Sequence, residues 1–367
     1  MQFIINQPAL LKELGFLQGV IEKRNTIPIL GHLLIEAESG RLRLQATDLD
    51  LSLVTTCPAE VAAAGTICLP ARKLFDIVKA LPSAEIRFKS DAHGATAITC
   101  ERARFKLHGI ECEQFPELPS APASVTSLAA TQLRQFISRT LFATCDEESR
   151  YNLNGVKLEI TRERLRMVGT DGHRLSMVEV QGSFGESLAV DAIIPRKALS
   201  ELARIAAETE GEISFAEDSN HLFFQAGERC LTARRLAGSF PNYELVIPKD
   251  NPHHLELETA VAAAALRRVA LMADDRSRAV KIETAQGQLT LSSQGKDAGE
   301  AGETLVAAYT GEAITAACNA TYLQDFLSVA GSESVRIEIK DANSQFCLRP
   351  LGLEGFNFTY VLMPMRI

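Results

Sequence analysis

The residues with the most chemical potential stand together in the string Thr170-Asp171-Gly172-His173-Arg174. A carboxylate two residues from an imidazole could orient a general base, because an imidazole needs a partner that fixes its tautomer. The matching string earlier in the chain, Thr47-Asp48-Leu49-Asp50, holds no histidine. Asp-Gly between alternating segments is also a common turn, and a triad needs a nucleophile that spacing does not identify. A turn is the favoured reading, with nuclease-like chemistry at Asp171 and His173 as the enzyme alternative. His253-His254 could hold a metal ion, but no third ligand lies nearby, so solvated linker histidines are expected. The chain has no Walker A loop, no dinucleotide-binding glycine motif and no H-E-x-x-H. The cysteines Cys57, Cys68, Cys100, Cys112, Cys145, Cys230, Cys318 and Cys347 form no C-x-x-C pair and have no zinc-finger spacing to histidine. They read as reduced thiols that pack like small apolar residues. Neither cofactor nor metal is expected.

A different chemistry is offered by the C-terminal string Tyr360-Val361-Leu362-Met363-Pro364-Met365-Arg366-Ile367, which is apolar almost to its last residue. Chain ends are normally polar and frayed, so this one should pack as an edge strand or line a groove. Two methionines around a proline would give an adaptable apolar surface for varied peptides. Ordinary core packing is the competing reading.

These strings are positioned by a chain that repeats itself. The stretch 27–48, with Pro28-Ile29-Leu30-Gly31 and Thr47-Asp48, recurs as 151–171 and again as 279–294. Aligning Thr47, Thr170 and Gln294 gives offsets of 123 and 124 residues. Pro70-Ala71-Arg72-Lys73 recurs at Pro195-Arg196-Lys197 and more weakly at Asn319, and Phe115-Pro116 recurs at Phe240-Pro241. Several markers at one offset divide the 367 residues into three copies, 1–124, 125–249 and 250–367. Each copy is doubled inside, with the pattern βαβββ twice, which predicts two helices and eight strands per copy. This is an α+β class, with helices on one face of the sheets. In the first copy, strands are expected at 1–6, 32–37, 41–46, 50–56, 66–69, 84–89, 95–99 and 103–107. Helices are expected over 8–24, 70–80, 131–143, 195–207, 259–273 and 320–330, the first on the spacing of Leu10, Leu11, Leu14, Leu17 and Ile21. The segments 115–126 and 241–252 read as linkers between copies.

The chain carries a net charge of −8, which argues at first against nucleic-acid binding. Divided by element the picture changes. The six predicted helices carry +1, +2, +2, +2, +2 and −1, which leaves −16 on everything else. A shared helix surface would be a positive face on an acidic protein, the footprint of phosphate contact. The alternative is that each helix merely solvates its outer face. The sixth helix, with Asp325 and no base, breaks the pattern. The N-terminus lacks the basic and apolar regions of a signal peptide, and no apolar run is long enough to cross a bilayer. A cytoplasmic, membrane-free protein is expected.

Taken together, the residues resemble the bacterial DNA polymerase III beta subunits, the sliding clamps, along the whole chain. The carriers are Pro28-Ile29-Leu30-Gly31, Thr47-Asp48-Leu49, Pro70-Ala71-Arg72-Lys73, Arg150-Tyr151, Leu153-Asn154-Gly155, Thr170-Asp171-Gly172-His173-Arg174-Leu175, Pro195-Arg196-Lys197, Phe240-Pro241-Asn242-Tyr243 and Met363-Pro364-Met365-Arg366. The resemblance implies a DNA-clamp fold. Two chains would close head to tail into a ring around duplex DNA, helices inside and sheets outside. Such a protein is a processivity factor, not an enzyme.

Residue roles follow from the resemblance. Arg24, Arg72, Lys73, Tyr151, Arg196 and Lys197 would contact DNA without reading sequence; Asn152 stands where the family carries a second tyrosine. Ile77, Phe105 and Leu107 would face Leu271 and Met272 across the dimer joint, with Glu300 and Glu303 adding ion pairs. A groove for short apolar peptides would use Leu153, Thr170, Gly172, His173, Arg174, Leu175, Pro241, Val246, Val361, Met363, Pro364, Met365 and Arg366. Its occupants would be the polymerase III catalytic subunit, the clamp loader, and other polymerases and repair proteins. Leu245 stands where some members carry arginine, and Ile367 replaces the usual terminal leucine. A repeat scaffold without DNA is the third reading beside clamp and enzyme.

Overall fold

The computed structural model describes residues 1–22, 27–91, 94–185, 189–295 and 299–366. Among these, six helices and twenty-five strands alternate along the chain. The helices are α1 (Gln7–Val20), α2 (Ala71–Ala80), α3 (Ala130–Thr140), α4 (Arg196–Ala207), α5 (Thr259–Val269) and α6 (Ala320–Val329). The chain forms two compact units, Met1–Arg134 with Lys197–Arg235, and Gln135–Arg196 with Leu236–Ile367. The middle copy of the repeat is thus divided between them.

The first unit holds two antiparallel sheets. One has five strands in the order Glu60–Ala63, Gln2–Asn6, Glu85–Ser90, Ala95–Cys100 and Ala103–His108. The other has eight: Thr126–Ala129, Glu212–Glu217, His221–Ala226, Arg229–Arg234, Leu51–Pro58, Arg41–Thr47, His32–Glu38 and Gly65–Pro70. Arg229–Arg234 of the second copy pairs with Leu51–Pro58 of the first, with Arg229 opposite Thr55 and Ala233 opposite Leu51. Leu10, Leu14 and Leu17 recur every three or four residues on α1, and all three are fully buried. Phe3 and Phe88, on paired strands, stack beneath them at 4.6 Å.

The second unit repeats this plan. Its eight-stranded sheet runs Val190–Pro195, Gly155–Ile160, Arg164–Thr170, Arg174–Gln181, Asn357–Leu362, Phe346–Leu351, Ser334–Ile339 and His253–Glu258. Its four-stranded sheet runs Gly299–Val306, Gln288–Gly295, Ala279–Ala285 and Thr315–Asn319. The joint between copies is again one antiparallel pair, with Arg174 opposite Leu362 and Val178 opposite Phe358. Thr55 and Val178 are 123 residues apart, so both joints use the same register.

Several expectations need correction. α1 stops at Val20 rather than 24, because Ile21 turns extended. Its net charge is therefore zero, Lys12 against Glu13. α3 and α5 end early and continue as 3-10 turns, Leu141–Ala143 and Ala270–Met272. At the first of these ends, Thr140 Oγ1 bonds back to the Phe136 carbonyl at 2.8 Å and competes with the helix. The first copy has a ninth strand, Glu60–Ala63, an exposed edge whose alanine-rich sequence carries no strand signal. His253 and His254 begin a strand rather than lie in a linker. The segment 241–252 is no passive linker either, since it contains the 3-10 turn Tyr243–Val246, in which Tyr243 is buried. The C-terminal strand Asn357–Leu362 is interior to its sheet, not an edge.

Candidate functional site

The string that looked most like an active site is a turn. Asp171 Oδ1 accepts the backbone N–H groups of His173 (2.9 Å) and Arg174 (3.0 Å). Thr170 Oγ1 donates to the Arg174 carbonyl at 2.6 Å and accepts from Gly172 N at 3.1 Å. Gly172 sits at φ +88°, the left-handed region where glycine costs least. The other Asp171 oxygen, Oδ2, takes Arg174 Nε at 3.0 Å. The carboxylate is thus committed to the loop, and His173 is exposed, bound to Met363 N only through its backbone carbonyl at 3.1 Å. The same turn stands at Thr47-Asp48-Leu49, where Asp48 Oδ1 accepts Asp50 N and Leu51 N, and Leu49 adopts φ +84°. Among the described residues, no cluster of three or more acidic, histidine or cysteine side chains could hold a metal.

Around this turn the second unit forms an apolar groove of about 130 Å³. Leu153, Thr170, Gly172, Arg174, Leu175, Pro241, Asn242, Tyr243, Val246, Val361 and Met363 line it. Val168, Leu175, Met177, Tyr243 and Val361 form one buried cluster, with Phe240 and Ile247 packed on it. Leu175 and Val361 face each other across the joint between copies, so the floor exists only because two copies share a sheet. Of the residues expected here, His173, Pro364, Met365 and Arg366 do not line the groove. Met365 is instead pinned by its N–H to the Ala317 carbonyl at 2.7 Å. Asn242 and Tyr243 line the groove without having been expected there. Tyr243 stands in the Phe-Pro-Asn-Tyr string, and a tyrosine in a proline-rich segment is a readable sign of docking rather than of a linker.

Tyr243 rests on a charged platform. Its hydroxyl donates to Glu159 Oε2 at 2.7 Å and accepts from Arg166 Nη1 at 2.8 Å. Arg166 also binds Glu179 through Nε (3.0 Å) and Nη2 (2.7 Å), and Glu244 at 3.0 Å. Lys157 reaches Glu159 at 3.1 Å and Asp191 at 3.3 Å. Burial and the Glu159 hydrogen bond push the Tyr243 phenol up to about 12. Burial alone would raise Glu159, but the bonds from Tyr243 and Lys157 hold it below the ordinary carboxylate range. Burial would likewise lower Arg166, yet Tyr243 and Glu179 hold its proton more tightly than usual.

The basic residues are less free than their number implies. Arg72 and Lys73 on α2 are exposed and make no ion pair among the described residues. Arg196 is held by Thr144 (3.0 Å) and Asp146 (2.8 Å). Lys197 is held by Asp48, by Glu22 at 3.5 Å and by the Val20 carbonyl at 2.9 Å. Arg204 pairs with Glu201, and Arg268 with Glu303. Tyr151 is 55% exposed, while Asn152 is tied to the Ser239 carbonyl at 2.9 Å. Arg24 lies outside the described residues.

Of the residues expected at a dimer joint, Phe105 and Leu271 are exposed, and Leu107 and Met272 are half-buried. Ile77 is buried inside its own unit. Phe105 and Leu107 lie on the edge strand Ala103–His108, and Glu300 and Glu303 on the edge strand Gly299–Val306. All eight cysteines are free thiols, and burial pushes Cys57 and Cys318 up to about 12 and Cys347 to about 11.

Comparison with known proteins gives one consistent answer. Models of the DNA polymerase III beta subunit match along the chain: the N-terminal domain over residues 1–119, the central domain over 127–242 and the C-terminal domain over 244–366. The beta sliding clamp of Pseudomonas putida is 35% identical over the whole of both chains. The crystal structure of DNA polymerase III subunit beta from Pseudomonas aeruginosa superposes with a TM-score of 0.94, at 34% identity and full coverage of both chains. A sliding clamp from Bartonella birtlesii bound to griselimycin superposes at 0.96, again at 34% identity and full coverage.

Proposed function

The chain belongs to the DNA polymerase III beta subunit family, the beta sliding clamps, and from that premise we propose how its surfaces divide the work. It is a processivity factor for DNA replication and not an enzyme. The three copies are its three clamp domains, 1–124, 125–249 and 250–367. Two chains close a ring, with the edge strand Ala103–His108 of one copy beside Gly299–Val306 of the other. A heterologous joint repeated twice closes such a ring. Phe105, Leu107, Leu271 and Met272 supply apolar contact at the joint. Ile77, already buried, supports the joint from behind rather than touching the partner.

DNA is held by enclosure and not by base recognition. Diffuse attraction to phosphates keeps a duplex centred without stalling it, and Arg72, Lys73 and Tyr151 are the exposed groups placed to supply it. Arg196 and Lys197 contribute only part of their charge, since each already serves an acid. The groove takes a short apolar segment from the polymerase III catalytic subunit, the clamp loader and other DNA-processing proteins. The ligand named in the Bartonella birtlesii structure, griselimycin, belongs in the same groove. The protein works in the cytoplasm, where the chromosome is.

The observation that supports this most directly is the apolar groove floored by two copies of the repeat. Two measurements test it. Deleting residues 363–367 should abolish binding of polymerase and clamp loader while the dimer stays intact by sedimentation; normal polymerase binding would refute the groove. Loaded protein should stay on closed circular DNA and run off linear DNA. Equal loss from both would refute enclosure.

A further inference from the structure

We propose that Asp325 is a positioning residue for the peptide groove, holding the 170–175 loop against the groove floor through the guanidinium of Arg174. The inference rests on the groove reading above and names a residue outside the groove on which its shape depends.

Arg174 borders the groove, but its guanidinium is used elsewhere. Nε goes to Asp171 Oδ2 at 3.0 Å, Nη1 to Asp325 Oδ2 at 2.5 Å and Nη2 to the Phe142 carbonyl at 2.7 Å. The guanidinium carbon lies 4.2 Å from the Tyr322 ring centroid and 5.3 Å from that of Phe142. Only 9% of the side chain is exposed. Donors committed on three edges, with rings beside them, are not offered to an incoming peptide. Arg174 therefore ties the loop down and does not read the ligand.

The partners differ in what they fix. Asp171 moves with the loop, so its bond sets the loop's own shape. Asp325 stands on α6, a separate element, and its bond sets where the loop sits. α6 is itself anchored. Asn319 caps it through the N–H groups of Thr321 (2.9 Å) and Tyr322 (3.2 Å). Phe326 stacks on Tyr360 at 5.2 Å, and the Tyr360 hydroxyl donates to the Tyr322 carbonyl at 2.9 Å. Tyr360 adjoins Val361 of the floor. The path from Asp325 thus runs from the wall of the groove through α6 to its floor in three contacts.

The arrangement also accounts for the acid on α6: Asp325 serves a guanidinium from the strand Arg174–Gln181. The first unit ties its equivalent turn to α4 through another pair, Lys197 with Asp48. There the position of Arg174 is taken by Leu51, and the position of Asp325 by Glu201, which pairs with Arg204 on its own helix at 2.5 Å.

The test measures griselimycin binding to the full-length chain by titration calorimetry, with melting temperature and sedimentation alongside. Val246→Asp, on the groove rim, should abolish binding; unchanged binding would overturn the groove reading and this inference with it. If that control holds, Asp325→Ala should weaken binding on the order of tenfold, and Asp325→Asn by less, with melting and dimer state unchanged. Arg174→Met should weaken it similarly, and the double variant no further than the worse single one. Wild-type binding by Asp325→Ala would overturn the inference alone. So would losses that multiply in the double variant, or an affinity loss that only follows a fall in melting temperature. If Asp325→Ala does not fold, Asp325→Asn is judged by the same criteria.

Discussion

At the scale of single residues, the groove is set by groups that a peptide would not touch. Glu159 is a clear case. Its pKa lies below its ordinary 4.5 because Tyr243 and Lys157 bind its charged form. A depressed carboxylate contributes stability above its unfolded pKa and loses it as pH falls through the folded value. Melting of the second unit should therefore hold steady near neutrality and drop as pH falls below about 4.5, and Glu159→Gln should flatten that drop. Gly172 offers a second test. Leu49, its counterpart, takes the same positive φ, so the turn admits a side chain at a strain of ~1 kcal/mol. Gly172 lines the groove, and a Cβ there would nonetheless come within 3.3 Å of Arg150 Nη1. Gly172→Ala should fold, and should weaken griselimycin binding more than it lowers the melting temperature.

At the scale of elements, the two joints share a register but exchange their chemistry. In the first unit, Arg229 on the strand lies over Phe16 of α1, 4.1 Å from the ring centroid. In the second, Arg139 of α3 lies over Phe358 on the strand at 5.8 Å and over Phe356 at 5.1 Å. Phe16 and Arg139 are equivalent, as are Arg229 and Phe358, so cation and ring have changed places. The exchange is not symmetric in charge. Arg229 also binds Glu13 at 2.9 and 2.6 Å, and Glu13 is only 8% exposed. Among the described residues Arg139 has no acid partner, and burial lowers its pKa. Arg229→Met should therefore cost ~3–5 kcal/mol by leaving a buried carboxylate unpaired, and Glu13→Leu beside it should restore most of the loss. Arg139→Met should cost clearly less. Urea unfolding of the single and double variants checks both.

Most elements were legible in the sequence because each rests on a local signal, either an apolar spacing or a turn residue. Those missed or misplaced depend on distant groups. Glu60–Ala63 is a strand only because Gln2–Asn6 offers it an edge. Tyr243 is a groove wall only because Arg166 donates to its hydroxyl and Glu159 accepts from it. Asp325 stayed unexplained because its partner lies 151 residues away.

At the scale of the molecule, the bulk charge of −8 hid a segregation that the structure makes more modest. α1 is neutral, and Arg196, Lys197, Arg204 and Arg268 each serve an acid, so phosphate attraction falls to a few residues such as Arg72 and Lys73. Arg72→Ala with Lys73→Ala should weaken the attraction of the clamp to DNA and lower its salt dependence, while retention on closed circles and polymerase binding without DNA stay unchanged. At the joint, Phe105→Asp should shift sedimentation from dimer to single chain at micromolar concentration.

The three copies were readable because inheritance repeats residues. The two compact units were not, because strand pairing across copies leaves no mark at the copy boundary. The middle copy gives Arg229–Arg234 to one sheet and Arg174–Gln181 to the other. A gene cut at the copy boundaries would therefore not release three independent modules. Each fragment would carry a strand with a bare row of amide groups, ready to capture any other chain that presents one. What looks like modular ancestry is thus a barrier to modular reuse, because the two units interleave along the chain and no single cut frees either one whole.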